Sequence, residues 1–170
     1  WSSDVCSSDL LAGWLQGPLD AEAWTAVIPS MGYMALLRNL RNFDRAGVPD
    51  EVAERVAAKL ADPDEVTRSR QLPFRFYTAY RNAPSLRWGH ALDRALQAAT
   101  RNLPAFEGRT LVLVDTSASM SGGTVSARSS VTPAQAAALF GVALACRGAN
   151  VDLYGFANGV FEHKVERGGR

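Results

Sequence analysis

The chain has 170 residues, 47% of them apolar, which is enough for a single domain or two partial ones. No apolar run approaches the roughly 20 residues of a membrane-spanning helix, so no membrane role is expected. The net charge of +1 excludes a uniformly acidic or basic protein. Cysteines occur only at Cys6 and Cys146, which excludes a disulfide framework and suits a reducing, cytoplasmic setting.

In chain order, Trp1 to Leu10 reads as the translation of a sequencing-library adapter, and the biological reading starts at Leu11. Residues 20 to 103 read as a series of helices. Ala21 to Ile28 ends at Pro29. Met31 to Arg45 carries Met34, Leu37 and Leu40 on one stripe, widened by Leu36 and Phe43, with Arg38, Arg41, Asn42 and Arg45 opposite. Gly47 ends that helix. Glu51 to Leu60 aligns Val52, Val56 and Leu60, with acids early and Lys59 late, as the helix dipole favours. Asp62-Pro63 starts a short helix through Arg68, and Leu72 to Tyr80 is aromatic-rich. Ser85 caps a long helix to Asn102, with Leu86, Leu92 and Leu96 expected toward the core. Paired helices that each bury one stripe point to an α-solenoid of the HEAT kind.

Beyond Arg109 the pattern changes. Leu111-Val112-Leu113-Val114 has the length and branching of a buried parallel strand. It runs straight into Asp115-Thr116-Ser117-Ala118-Ser119. That places one carboxylate and two hydroxyls, from Asp115, Ser117 and Ser119, at the carboxyl edge of a sheet, where open α/β folds bind ligands. Such hard oxygen donors suit Mg²⁺, Mn²⁺ or Ca²⁺ rather than Zn²⁺. A haloacid-type phosphatase would need a second Asp where Ser117 stands, and an aspartic protease would need Gly there. Ser121 to Val131 is a Gly/Ser-rich loop. Thr132-Pro133 reads as the N-cap and first position of an apolar helix from Ala134 to Ala145, with Gly148 and Asn150 ending it. Cys146 is expected as a buried thiol of that helix. Val151 to Phe156 reads as a second strand and Val160 to Lys164 as a third.

The charge is unevenly spread. Leu11 to Glu65 holds five basic and nine acidic residues, net −4, whereas Val66 to Thr110 holds eight Arg against Asp93 and Glu107, net +6. A basic block is the electrostatic footprint of a polyanion. Arg68, Arg70, Arg75 and Arg81 are the candidate phosphate contacts, with Tyr77 and Tyr80 as stacking partners for bases. Phe74 and Phe76 are expected in the core. His90 and His163 have no second metal ligand at useful spacing. No general base is visible near Asp115, so catalysis is not expected.

Two resemblances follow from these residues. Asp115-Thr116-Ser117-Ala118-Ser119, with the strand before it and the helix and strand after it, resembles the metal-ion-dependent adhesion site of von Willebrand factor A domains. That resemblance implies a divalent cation at Asp115, Ser117 and Ser119, a shell completed by a later Thr and Asp beyond residue 170, and docking of a partner's acidic group. Met34-Ala35-Leu36-Leu37-Arg38-Asn39-Leu40-Arg41-Asn42-Phe43 and Ser69-Arg70-Gln71-Leu72-Pro73-Phe74-Arg75 resemble the helical repeats of the TROVE domain. The order of helices and then an A-type strand is similar to the layout of the Ro autoantigen family.

Three segments are therefore expected: adapter sequence over 1–10, the C-terminal part of the HEAT-like TROVE repeats over 11–108, and the front of a von Willebrand A-like domain over 109–170. The overall class is α plus α/β. The resemblance implies a monomeric, non-catalytic RNA-binding protein. Its RNA would be small noncoding Y RNA and the 3′ ends of misfolded RNA. Its protein partner would be an exoribonuclease or another protein offering an acidic ligand at the metal. The alternative is a metal-dependent protein-binding A module on a helical scaffold, with no RNA role.

Overall fold

The computed structural model describes residues 19–83, 85–127 and 129–165, so the adapter-like segment lies outside the described residues. Six helices come first: α1 (Ala21–Val27), α2 (Tyr33–Ala46), α3 (Asp50–Ala61), α4 (Pro63–Ser69), α5 (Pro73–Asn82) and α6 (Leu86–Ala99). A ten-residue strand β1 (Phe106–Asp115), helix α7 (Pro133–Arg147) and strands β2 (Gly148–Phe156) and β3 (Val160–Glu162) follow. The chain is thus a helical array that runs into a small α/β unit, as the sequence pattern indicates. Among the described residues no helix is long and apolar enough to cross a membrane.

Local chemistry explains the helix boundaries. Asp62 accepts from the Asp64 and Glu65 amides, Ser85 from Arg87, and Asp20 from Ala23, each pairing amides that a helix start leaves free. Gly47 ends α2 at φ +69°, a left-handed conformation that glycine adopts without a Cβ penalty. Thr132 and Gln135 form a reciprocal capping box at the start of α7, with Pro133 in its first turn.

The helical half holds the larger core. Leu36, Leu40 and Phe43 of α2, Val56 and Leu60 of α3, Val66 of α4, Phe76 of α5 and Trp88 and Leu92 of α6 are all buried. Phe43 meets Trp24 and Trp88 edge to face, at 5.0 and 6.4 Å between ring centres. The buried Trp88 indole donates to both carboxylate oxygens of Asp44, at 3.0 and 2.9 Å. Arg87 braces the same corner through Asp50 at 2.8 Å and the Val48 carbonyl at 2.7 Å.

Two expectations about the helices are corrected. Leu86 is 96% exposed, because the inward face of α6 is Trp88, Ala91, Leu92, Ala95 and Ala99. Leu86 occupies the first helical position, a turn ahead of the stripe that the other helices cover. Cys146 is exposed rather than buried. On α7 it is Gly141 and Ala145 that face the sheet, and Cys146 is rotated away from them.

In the α/β unit, β1 pairs parallel with β2, and β2 pairs antiparallel with β3, in the order β1-β2-β3. Helix α7 is the crossover and covers one face, where Val114, Leu153 and Ala145 form a second, smaller core. The other face leaves Leu111, Leu113 and Phe161 more than half exposed, so β1 is covered on one face only and is not the buried strand its apolar run suggests. The two halves meet where Phe74 of α5 stacks on Phe140 of α7 at 6.0 Å, and where the Arg147 guanidinium donates to the Leu103 carbonyl.

Candidate functional sites

The end of β1 forms the first site. Register pairs Asp115 with Phe156, so both parallel strands end at the same edge. Thr116 fixes the exit of the chain: its amide and its hydroxyl both donate to the Phe156 carbonyl, at 2.9 and 3.0 Å. The chain then turns through a 3₁₀ segment, Ala118–Ser121. That turn folds Ser117 and Ser119 back onto the strand end, with their Oγ atoms 2.9 Å apart. The Ser117 amide donates to Asp115 Oδ1 at 2.8 Å. This backbone donor, followed by the Ser117 side chain, holds the Asp115 carboxyl below its ordinary range and so keeps it ionised.

The structure therefore gathers Asp115, Ser117 and Ser119 at one strand end. Among the described residues no cluster of three His, Cys, Asp or Glu side chains could hold a metal. A cation at this edge would be bound by one carboxylate and two hydroxyls, a donor set that fits a hard divalent ion. Bound there, the ion would supply a positive centre with open positions for an acidic ligand.

The four candidate arginines are not brought together. Arg68 is mostly exposed and pairs with Glu65 of its own helix at 3.2 Å. Arg70 ends α4 in a left-handed conformation at φ +54°. Arg81 is exposed on α5. Tyr80 is 53% exposed and Tyr77 only partly so. Arg75 lines a groove of about 740 Å³ between α2 and α5, which it shares with Arg38 and Arg41. Those two arginines lie in the acidic segment, where a count of net charge passes over them. The signal that finds them is positional: they recur three residues apart on the face of α2 away from the buried Leu36 and Phe43, and they share the groove with Met34, Leu37 and Leu40 rather than lying opposite them.

The architecture defines the class: a helical scaffold joined to an α/β unit whose first strand ends in an oxygen-rich turn. Residues 18–87 match the TROVE domain. The crystal structure of the Deinococcus radiodurans Ro (RSR) protein is similar, with a TM-score of 0.74 and 25% sequence identity. The match covers 94% of this chain and 37% of that one, so the chain spans little more than a third of the length of its structural relative. The chain thus resembles the TROVE domain over residues 18–87 and a Ro protein over most of its length. Every residue that lines the groove lies within the matched segment.

Proposed function

We propose that this chain is part of a Ro-type RNA-binding protein that takes small noncoding RNA and the 3′ ends of misfolded RNA in cytoplasmic RNA quality control. The observation that carries the reading is the TROVE match over residues 18–87, together with the likeness to the Ro protein over nearly the whole chain. Binding would rest on guanidinium contacts to phosphate and on aromatic stacking, without catalysis.

In the same reading, residues 109–170 are the front of a von Willebrand A-like domain. Its Asp115, Ser117 and Ser119 would hold Mg²⁺, Mn²⁺ or Ca²⁺, and an acidic group on a protein partner such as an exoribonuclease would dock there. The closeness of the two hydroxyls to the ionised Asp115 supports this part. The same geometry favours the second reading, an A module that binds protein and has no RNA role.

A salt titration separates the two. The full chain is mixed with a structured RNA that carries a single-stranded 3′ tail, or with a blunt duplex. Tight, salt-sensitive preference for the tailed RNA is the expected result. Absence of RNA binding at low salt, with metal-dependent capture of an acidic peptide, would favour the second reading.

A further inference from the structure

We propose that the groove between α2 and α5 is a subsite for the backbone of single-stranded RNA, with Arg38, Arg41 and Arg75 as its phosphate contacts. The proposal rests on the RNA-binding reading and names where on this chain one strand would lie.

The charge in the groove is uncompensated. Arg87 and Arg109, like Arg68, sit against carboxylates: Arg87 against Asp44 and Asp50, and Arg109 against Asp152 at 2.9 Å. Arg38, Arg41 and Arg75 have no ion pair among the described residues, and no Asp or Glu lines the groove. The one acid on α2, Asp44, is taken up by Trp88 and Arg87. Each free guanidinium offers five donors in a planar fork that matches phosphate oxygens.

The spacing suits a chain of charges rather than a single anion. Arg38 and Arg41 are three residues apart on α2, so they are neighbours along one helix face, and Arg75 faces them from α5 across the groove. Asn42 and Asn82 complete the walls. Their amide nitrogens donate to Asn39 Oδ1 and to the Thr78 carbonyl, at 2.8 Å each. Both amide oxygens lack a protein donor among the described residues, so they are available to the polar edges of bases. Met34, Leu37 and Ala79 add apolar surface to the lining, against which a base can pack. The volume is that of a small-ligand site, and a single strand is the form of RNA whose splayed bases can enter such a groove.

The test measures anisotropy of a labelled oligouridylate on the full chain at several salt concentrations. Wild type is compared with R38Q/R41Q/R75Q and with a charge-matched set outside the groove, R55Q/R94Q/R101Q. Three phosphate contacts contribute about −2 to the slope of log affinity against log salt. Wild type should therefore lose roughly 20-fold more affinity than the groove variant between about 50 and 200 mM salt. The outer set should keep the wild-type slope.

If RNA binding persists and the groove set behaves like the outer set, the groove is refuted while the RNA-binding reading stands. If wild type binds no RNA at low salt, both fail. Equal affinity for oligoglutamate would also overturn the proposal, since it would make the groove a general anion surface. Should the triple variant misfold, R75Q alone, expected to reduce the slope by about 0.7, takes its place. Crosslinking of 4-thiouridine RNA to peptides from α2 and α5 supports the groove, and crosslinks confined to other elements refute it.

Discussion

A single methyl group tests how tightly α7 seats on the sheet. Gly141 lies mid-helix, where alanine would ordinarily be more favourable by about 1 kcal/mol. A Cβ there, however, would stand 2.6 Å from Val114 Cγ2 and 3.3 Å from Leu153 Cδ1. Both neighbours are buried, at 8% and 5% exposure, and valine has little rotamer freedom with which to yield. Overpacking of this kind costs about 1–3 kcal/mol. Less the helix gain, Gly141→Ala should destabilise by up to about 2 kcal/mol.

Gly89 supplies the control, because it is also within a helix but its Cβ would meet nothing within 4 Å. Gly89→Ala should stabilise by about 0.5–1 kcal/mol. The two variants should thus differ by about 1–3 kcal/mol, and each kcal/mol moves the melting temperature of a chain this size by about 2–4 °C. Parallel thermal and urea unfolding followed by circular dichroism reads the difference. If Gly141→Ala proved as stable as Gly89→Ala, helix and sheet would have parted freely, and the close seating of α7 would be wrong. Since Val114 adjoins Asp115, the same displacement should also weaken cation binding at the strand end.

Three further outcomes are expected. Asp44→Ala leaves the buried Trp88 indole N–H unpaired and should cost about 2 kcal/mol in urea unfolding, whereas Asp44→Asn, which keeps an acceptor, should lose less. Mn²⁺ at about ten times its Kd should stabilise wild type by roughly 1.4 kcal/mol, and Asp115→Ala should abolish the shift; an unchanged shift would place the metal elsewhere. Burial, with smaller contributions from the charges of Glu65 and Asp62, raises the Tyr33 pKa far above 10.0, and its hydroxyl donates to the Leu60 carbonyl at 2.8 Å. A raised folded pKa means that this stabilisation is full below about pH 10 and is lost as pH climbs above it. Tyr33→Phe should therefore be less stable at neutral pH by about 1 kcal/mol and lack this part of the alkaline decline, as unfolding at pH 8 and pH 11 would show.

The sequence by itself determined whatever is carried by neighbours along the chain. The starts at Asp62, Ser85 and Thr132 and the stop at Gly47 follow from caps that bond their own backbone. The Asp115-Ser117-Ser119 turn was legible for the same reason: five consecutive residues after an apolar run have few ways to fold, and the structure brings the three oxygens together. Helix periodicity likewise gave the buried positions of α2, but not that Arg38 and Arg41 share a groove with Met34, Leu37 and Leu40.

Only the tertiary structure decided which faces have neighbours. Periodicity says which residues share a face, but the packing of other elements says whether that face is covered, which is why Leu86 and Cys146 lie in solvent. It also decided which charges share a field. Counted along the chain, Arg38 and Arg41 belong to an acidic stretch and Arg75 to a basic one. Helix packing sets the three around one groove and draws Asp44 and Asp50 off to Arg87. Electrostatic energy depends on distance in space, and a one-dimensional count of charge holds no record of it.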